Sequence, residues 1–149
     1  MALKPIRLEL LVLLILSQRL PHLTAWLWVS TESPSEVRAC PGKDVLLSCI
    51  FTVYPRPVRL QVLDVYWRRN NKKVARFYDF ETDWRSRVSL FPEKLKKGNA
   101  SLIIYQVDGT YKGHYVCQIR YGRQHQKIAI DLHLRTTPQE IAQCVAVDP

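Results

Sequence analysis

Residues 109–119, GTYKGHYVCQI, place Cys117 two residues after Tyr115 in a run that alternates. Tyr115, Cys117 and Ile119 fall on one face; His114, Val116 and Gln118 fall on the other. A period of two with one apolar side reads as a half-buried β-strand. Residues 44–51, DVLLSCIF, repeat the pattern with Val45, Leu47, Cys49 and Phe51 on one face. Between the two lies a third β-rich run, LDVYWRR (63–69), in which Trp67 follows Cys49 by 18 positions.

The chain has 149 residues, the size of one ordinary domain. Hydrophobic residues make up 47% and charged ones 23%, a globular balance. Residues 1–25 stand apart: Lys4 and Arg7 precede or border the apolar run LELLVLLILS, and Leu23 and Ala25 offer cleavage-site positions. This layout predicts a secretory signal peptide, because the run is shorter than the roughly 20 apolar residues of a membrane span. No later stretch is apolar enough to span a bilayer. The expected location is therefore secreted, or on the extracellular side of the plasma membrane with the anchor outside this chain.

In an oxidising compartment Cys40, Cys49, Cys117 and Cys144 can form structural bridges, and four cysteines allow three connectivities. Their spacing contains no C-x₂₋₄-C knuckle, which argues against zinc. The order Cys49, Trp67, Tyr115-x-Cys117 resembles an immunoglobulin sandwich, an all-β, two-sheet Greek-key fold, and the long interval between the cysteines resembles the V-set type with its extra C′ and C″ strands. The resemblance implies a Cys49–Cys117 inter-sheet disulfide, with Trp67 packed on it in the core and Tyr115 bracing the corner. On a chain-entropy model such a bridge is worth about 4 kcal/mol.

Two stretches narrow the resemblance. VYWRRNNKKVARF (65–77) is similar to the C–C′ hairpin, and SRVSLFPEKLKKGNASLIIYQV (86–107) to the D–E segment, of butyrophilin-like T-cell costimulatory ligands, the B-seven group. The similarity spans about residues 30–135 and implies their membrane-distal domain. Two departures stand out. The aspartate usual six positions before the second cysteine is Tyr111, which leaves Arg87 without its ordinary partner; Asp108 is close by in sequence. The G-strand segment HQKIAIDLHLR lacks the Phe-Gly-x-Gly bulge of antigen receptors.

The strands map to A near 27–33, A′ near 36–39, B 44–52, C 62–69, C′ 73–79, D 87–91, E 100–106, F 113–121 and G 125–135. Residues 26–135 form the V-set domain. The stretch FTVYPRPVRLQ (51–61) reads as the B–C connection, and Pro55 and Pro57 discourage regular pairing there. The tail TTPQEIAQCVAVDP (136–149) shows no strong period and reads as a linker or stalk. For Cys40 and Cys144 three fates stay open: a bridge to each other, an intermolecular disulfide through Cys144, or free thiols.

Strand parity turns the map into a surface. With Trp67, Tyr115, Cys117 and Ile119 inward, Tyr66, Arg68, Val116, Gln118, Arg120, Lys127 and Ala129 point outward on the G-F-C-C′ sheet, with Tyr121 and Arg123 at the F–G tip. Tyrosine and arginine are the residue types enriched at binding hot spots. The partner-binding set is thus Tyr66, Arg68, Gln118, Arg120, Tyr121, Arg123 and Lys127. Asn99 begins Asn-Ala-Ser, an N-glycosylation acceptor on the other side of the domain.

Histidines 22, 114, 125 and 133 accompany no nucleophile, paired carboxylates, phosphate-binding glycine loop or HExxH helix, so catalysis, cofactors and metals are not expected. The resemblance implies a ligand that engages a lymphocyte receptor and modulates T-cell activation. The alternative is a V-set receptor or adhesion domain that self-associates as a homodimer or meets a ligand on another cell. The basic charge, +9 for the whole chain, adds an accessory affinity for heparan sulfate, to which Lys94, Lys96 and Lys97 and the sheet-face cations contribute. No stacking groove for nucleic acid is specified.

Overall fold

Alternating burial along the chain becomes two β-layers around one core. A computed structural model describes residues 26–29 and 33–145; the predicted signal peptide lies outside the described residues. The strands are β1 (Trp26–Val29), β2 (Glu36–Ala39), β3 (Val45–Leu47), β4 (Phe51–Tyr54), β5 (Leu63–Arg69), β6 (Lys72–Tyr78), β7 (Glu81–Trp84), β8 (Val88–Ser89), β9 (Leu102–Ile104), β10 (Gly113–Tyr121) and β11 (Gln124–Leu134). A short helix α1 (Pro92–Leu95) precedes β9, and α2 (Pro138–Val145) follows β11. Six strands form one sheet in the order β2-β11-β10-β5-β6-β7, and β3-β9-β8 form the facing sheet; β1 pairs with β4. β2 runs parallel to β11, and the other sheet neighbours are antiparallel.

The core is the set of inward positions that parity names. Leu47, Cys49, Phe51, Leu102 and Ile104 meet Val65, Trp67, Phe77, Tyr115, Cys117, Ile119 and Ile130, and all of these are buried. Cys49 and Cys117 are bridged across the layers at a Cα separation of 6.6 Å. Trp67 stands directly opposite Cys117 in the ladder, and its indole Nε1–H donates to the Ala100 carbonyl at 2.8 Å, so the one polar atom of a buried ring is satisfied. The Tyr115 hydroxyl donates to the Tyr111 carbonyl at 2.7 Å, bracing the corner before β10. Burial pushes that phenol up to about 12.

The expected B strand is divided. β3 pairs with β9, while Phe51–Tyr54, read from sequence as part of a connection, is strand β4 on β1. The prolines act only after Tyr54. At the division the backbone crosses to the 98–100 segment: Phe51 N–H donates to the Gly98 carbonyl at 2.8 Å and Ala100 N–H to the Cys49 carbonyl at 2.8 Å. Gly98 has φ +81°, and a Cβ there would meet the Phe51 carbonyl oxygen at 2.2 Å, so this crossing requires glycine.

The tail is a correction as well. Residues 138–145 form α2 in place of a linker. Thr137-Pro138-Gln139-Glu140 is a capping box: the Thr137 hydroxyl accepts from Glu140 N–H, and the Glu140 carboxylate accepts from the backbone N–H of Thr136 and Thr137. Pro138 sits where its missing N–H costs nothing. The helix is fastened by a Cys40–Cys144 disulfide (Cα separation 5.7 Å), by Arg38 to Glu140 at 3.1 Å and by Arg135 to Gln143. Of the three fates left open for this cysteine pair, the structure has the intramolecular bridge. Arg87 finds its acid in Asp108 at 2.7 Å, with its guanidinium 4.9 Å from the Tyr111 ring centroid. The aspartate has moved along the chain, and the tyrosine fills the vacated place.

Candidate functional site

The outer face of the six-stranded sheet is built in rows by its registers. Gln118 lies opposite Lys127 on one side and Tyr66 on the other, and Tyr66 lies opposite Arg76. One step along, His125 faces Arg120, which faces Asp64. Directly opposed residues of a ladder share a face, so five of the seven partner-set residues (Tyr66, Arg68, Gln118, Arg120 and Lys127) come together on it. Arg123 is exposed in the two-residue turn between β10 and β11.

Tyr121 is a correction. Alternation from Cys117 through Ile119 continues inward, leaving Tyr121 3% exposed, and its hydroxyl accepts from Arg59 N–H at 3.0 Å. It fixes the loop before β5 and presents nothing to a partner.

Two residues that the sequence reading did not single out organise this face. Asp64, only 7% exposed, takes a bidentate contact from Arg76 (Nε to Oδ1 3.1 Å, Nη2 to Oδ2 2.8 Å), and Arg120 stands 3.7 Å away. Donating these hydrogen bonds to Asp64 pushes the Arg76 guanidinium further above its already high range, so it stays charged. The Arg68 and Arg76 guanidiniums each stand 5.8 Å from the Tyr66 ring centroid. Arg68 also reaches Gln118 at 3.4 Å, and its buried Nε has no hydrogen-bond partner among the described residues. Asp64, Tyr66, Arg76, Gln118 and Arg120 line a shallow depression of about 300 Å³.

Asp64 was within reach of parity, being two residues before Tyr66. Arg76 was not. The Asn70-Asn71 turn, both residues at positive φ, sets Arg69 opposite Lys72 and Arg68 opposite Lys73. A bulge between Trp67 and Arg68 then shifts the register by one, bringing Arg76 rather than Ala75 across from Tyr66.

Asn99 is half-buried in a bridge with Ile50, on the side of the facing sheet. Its side-chain oxygen accepts from Ser101 N–H, and the Ser101 hydroxyl accepts from Cys49 N–H at 3.0 Å, so both sequon residues also have work within the fold. His114 contacts Asp131 at 2.7 Å on the surface. Among the described residues no three His, Cys, Asp or Glu side chains converge for a metal, and no helix is long and apolar enough to cross a membrane.

With this geometry in view, the likenesses to known proteins fall into place. The chain is 36% identical over 115 residues to mouse programmed cell death 1 ligand 1, covering 72% of this chain and 39% of the relative. It is 34% identical over 83 residues to the CD276 antigen homolog of Xenopus laevis, covering 50% of this chain and 27% of that protein. The crystal structure of the human B7-H4 IgV-like domain superposes with a TM-score of 0.61 at 23% identity, over 72% of this chain and 96% of that one. The chain is an immunoglobulin V-set domain resembling those of B7-type ligands. No family model matches it, and the chain spans well under half the length of the curated relatives.

Proposed function

We propose that this V-set domain belongs to a cell-surface or secreted ligand that engages a protein receptor on lymphocytes through the β11-β10-β5-β6 face and so modulates T-cell activation. The carrying observation is the cluster of Tyr66 with the Arg68 and Arg76 guanidiniums, Arg76 being anchored on buried Asp64, which gathers residue types that dominate protein interfaces. The mouse relative is by its name a ligand of another protein, which supports a binding role. A glycan on Asn99 would lie on the side of the facing sheet and leave this face open.

The double substitution Tyr66→Ala with Arg120→Ala tests the reading, since Asp64 keeps its bidentate contact from Arg76. Both residues lie on the outer face, so thermal unfolding should stay nearly unchanged while binding to lymphocytes falls by more than about 100-fold, as loss of two hot-spot residues implies. Retained binding by a normally folded double variant would move the interface elsewhere.

A further inference from the structure

At the end of the sandwich opposite the β10–β11 turn, three segments converge: the β5–β6 turn, the stretch from β7 into β8, and the 3-10 turn before β10. Together they enclose a cleft of about 380 Å³. Its lining gathers Arg69, Lys72, Lys73 and Arg85 together with Thr110 and Tyr111, and it contains no carboxylate. Lys73 pairs with Asp83, which lies outside the lining, and Arg69 donates to the Thr110 carbonyl. Lys72 and Arg85 form no ion pair among the described residues. The Arg69 and Arg87 guanidiniums stand 5.9 Å and 4.9 Å from the Tyr111 ring centroid, and the Tyr111 hydroxyl donates to the Ser86 carbonyl, so this ring is engaged within the fold.

With Lys73 paired to Asp83, the cleft is left with the positive charge of Lys72, Arg85 and Arg69, which an entering anion would offset. The arrangement offers several ammonium and guanidinium donors side by side in one open cleft, which suits the closely spaced sulfates of a sulfated sugar chain. A lipid surface would call for apolar side chains at the rim. Of the three exposed tryptophans only Trp84, 44% exposed, lies beside the cleft, next to Arg85; Trp26 and Trp28 are on β1, whose Leu27 N–H is bonded to Gln124 at the far end of β10 and β11. We propose that this cleft binds a sulfated glycosaminoglycan, with Lys72 and Arg85 receiving sulfates. The site adjoins the receptor face only at Lys73, which stands opposite Arg68, and is distinct from Lys96 and Lys97, which line a different cleft beside Arg56 and Pro57.

Retention of the purified protein on immobilised heparin across a salt series tests this. Lys72→Gln with Arg85→Gln should weaken binding roughly tenfold and lower the slope of log affinity against log salt by about two, one per cation removed. Lys96→Gln with Lys97→Gln should change little. Lysine acetylation of the unaltered protein gives a measurement independent of any variant: a heparin oligosaccharide should protect Lys72 and Lys73 and leave Lys96 and Lys97 reactive. Equal losses from the two double variants, equal protection of all four lysines, equal retention on desulfated heparin, no retention at low salt, or binding to phosphatidylserine vesicles that heparin does not compete would each overturn the site.

Discussion

The bridge between Cys49 and Cys117 lies in the middle of the sandwich, with both residues buried and Trp67 across the ladder from Cys117. The bridge between Cys40 and Cys144 lies at the margin and holds an eight-residue helix against β2. Loop length ranks the outer one first: separations of 104 and 68 residues give about 4.7 and about 4.4 kcal/mol on the entropy model. Packing ranks the inner one first, because its sulfurs are part of the core that both sheets share. Two chemically identical links therefore separate what the unfolded chain loses from what the folded chain contains.

Removing the inner bridge should have the largest effect. Cys49→Ala with Cys117→Ala is expected to cost at least about 4 kcal/mol, enough to abolish secretion or cooperative folding at 37 °C. Secreted yield and urea unfolding report it, and a well-folded double variant would show that the hydrophobic layers suffice. Cys40→Ser with Cys144→Ser should cost about half as much. Its release also frees the tail in the folded state, since a helix of eight residues does not persist unaided. Hydrogen exchange should rise first over residues 138–145 while the sandwich keeps its protection. A loss as large as that for the inner pair would make loop length the governing quantity.

The smallest effect sharpens the contrast by pH. Hydrogen bonds from the Thr137 and Thr136 backbone hold the Glu140 carboxyl at about 2. Its folded value lies below its unfolded one, so its contribution is full above about 4.5 and is lost as pH falls towards 2. Asp108 is likewise held at about 2, chiefly by Thr110 and then by Arg87. In the Cys40/Cys144 variant, NMR titration should show Glu140 moving up towards its ordinary range while Asp108 stays low. Equal movement of both would tie the marginal helix to the corner before β10.

What was legible followed from local pattern. Val45, Leu47, Tyr115, Cys117 and Ile119 announce their strands by period two, and Trp67 with the Tyr-x-Cys run places them in one sandwich. The sheet face was readable for the same reason at Tyr66, Arg68, Gln118, Arg120 and Lys127. Failures came where an extra residue or a long-range contact decides. The bulge beside Trp67 brings Arg76 to Tyr66, and no alternation shows a bulge. Tyr121 was assigned to a tip although its parity was already inward. Helix α2 was missed because eight residues are a short window, yet Ile141, Cys144 and Val145 recur at helical spacing and the Thr137-to-Glu140 capping spacing was on view. The two-part B strand depends on Gly98 approaching Phe51, a contact between segments nearly fifty positions apart.

The six-stranded sheet has two unpaired flanks, and each is guarded differently. β2 is the outermost strand on one side, and an open backbone rim invites another chain to add itself as a further strand. Cys144 and the Arg38–Glu140 pair fasten a helix beside that rim, while on the opposite flank β7 exposes the acids Glu81 and Asp83. Neighbouring copies crowded together are thereby discouraged from zipping into a continuous ribbon, and the broad face between the flanks is kept for selective contacts.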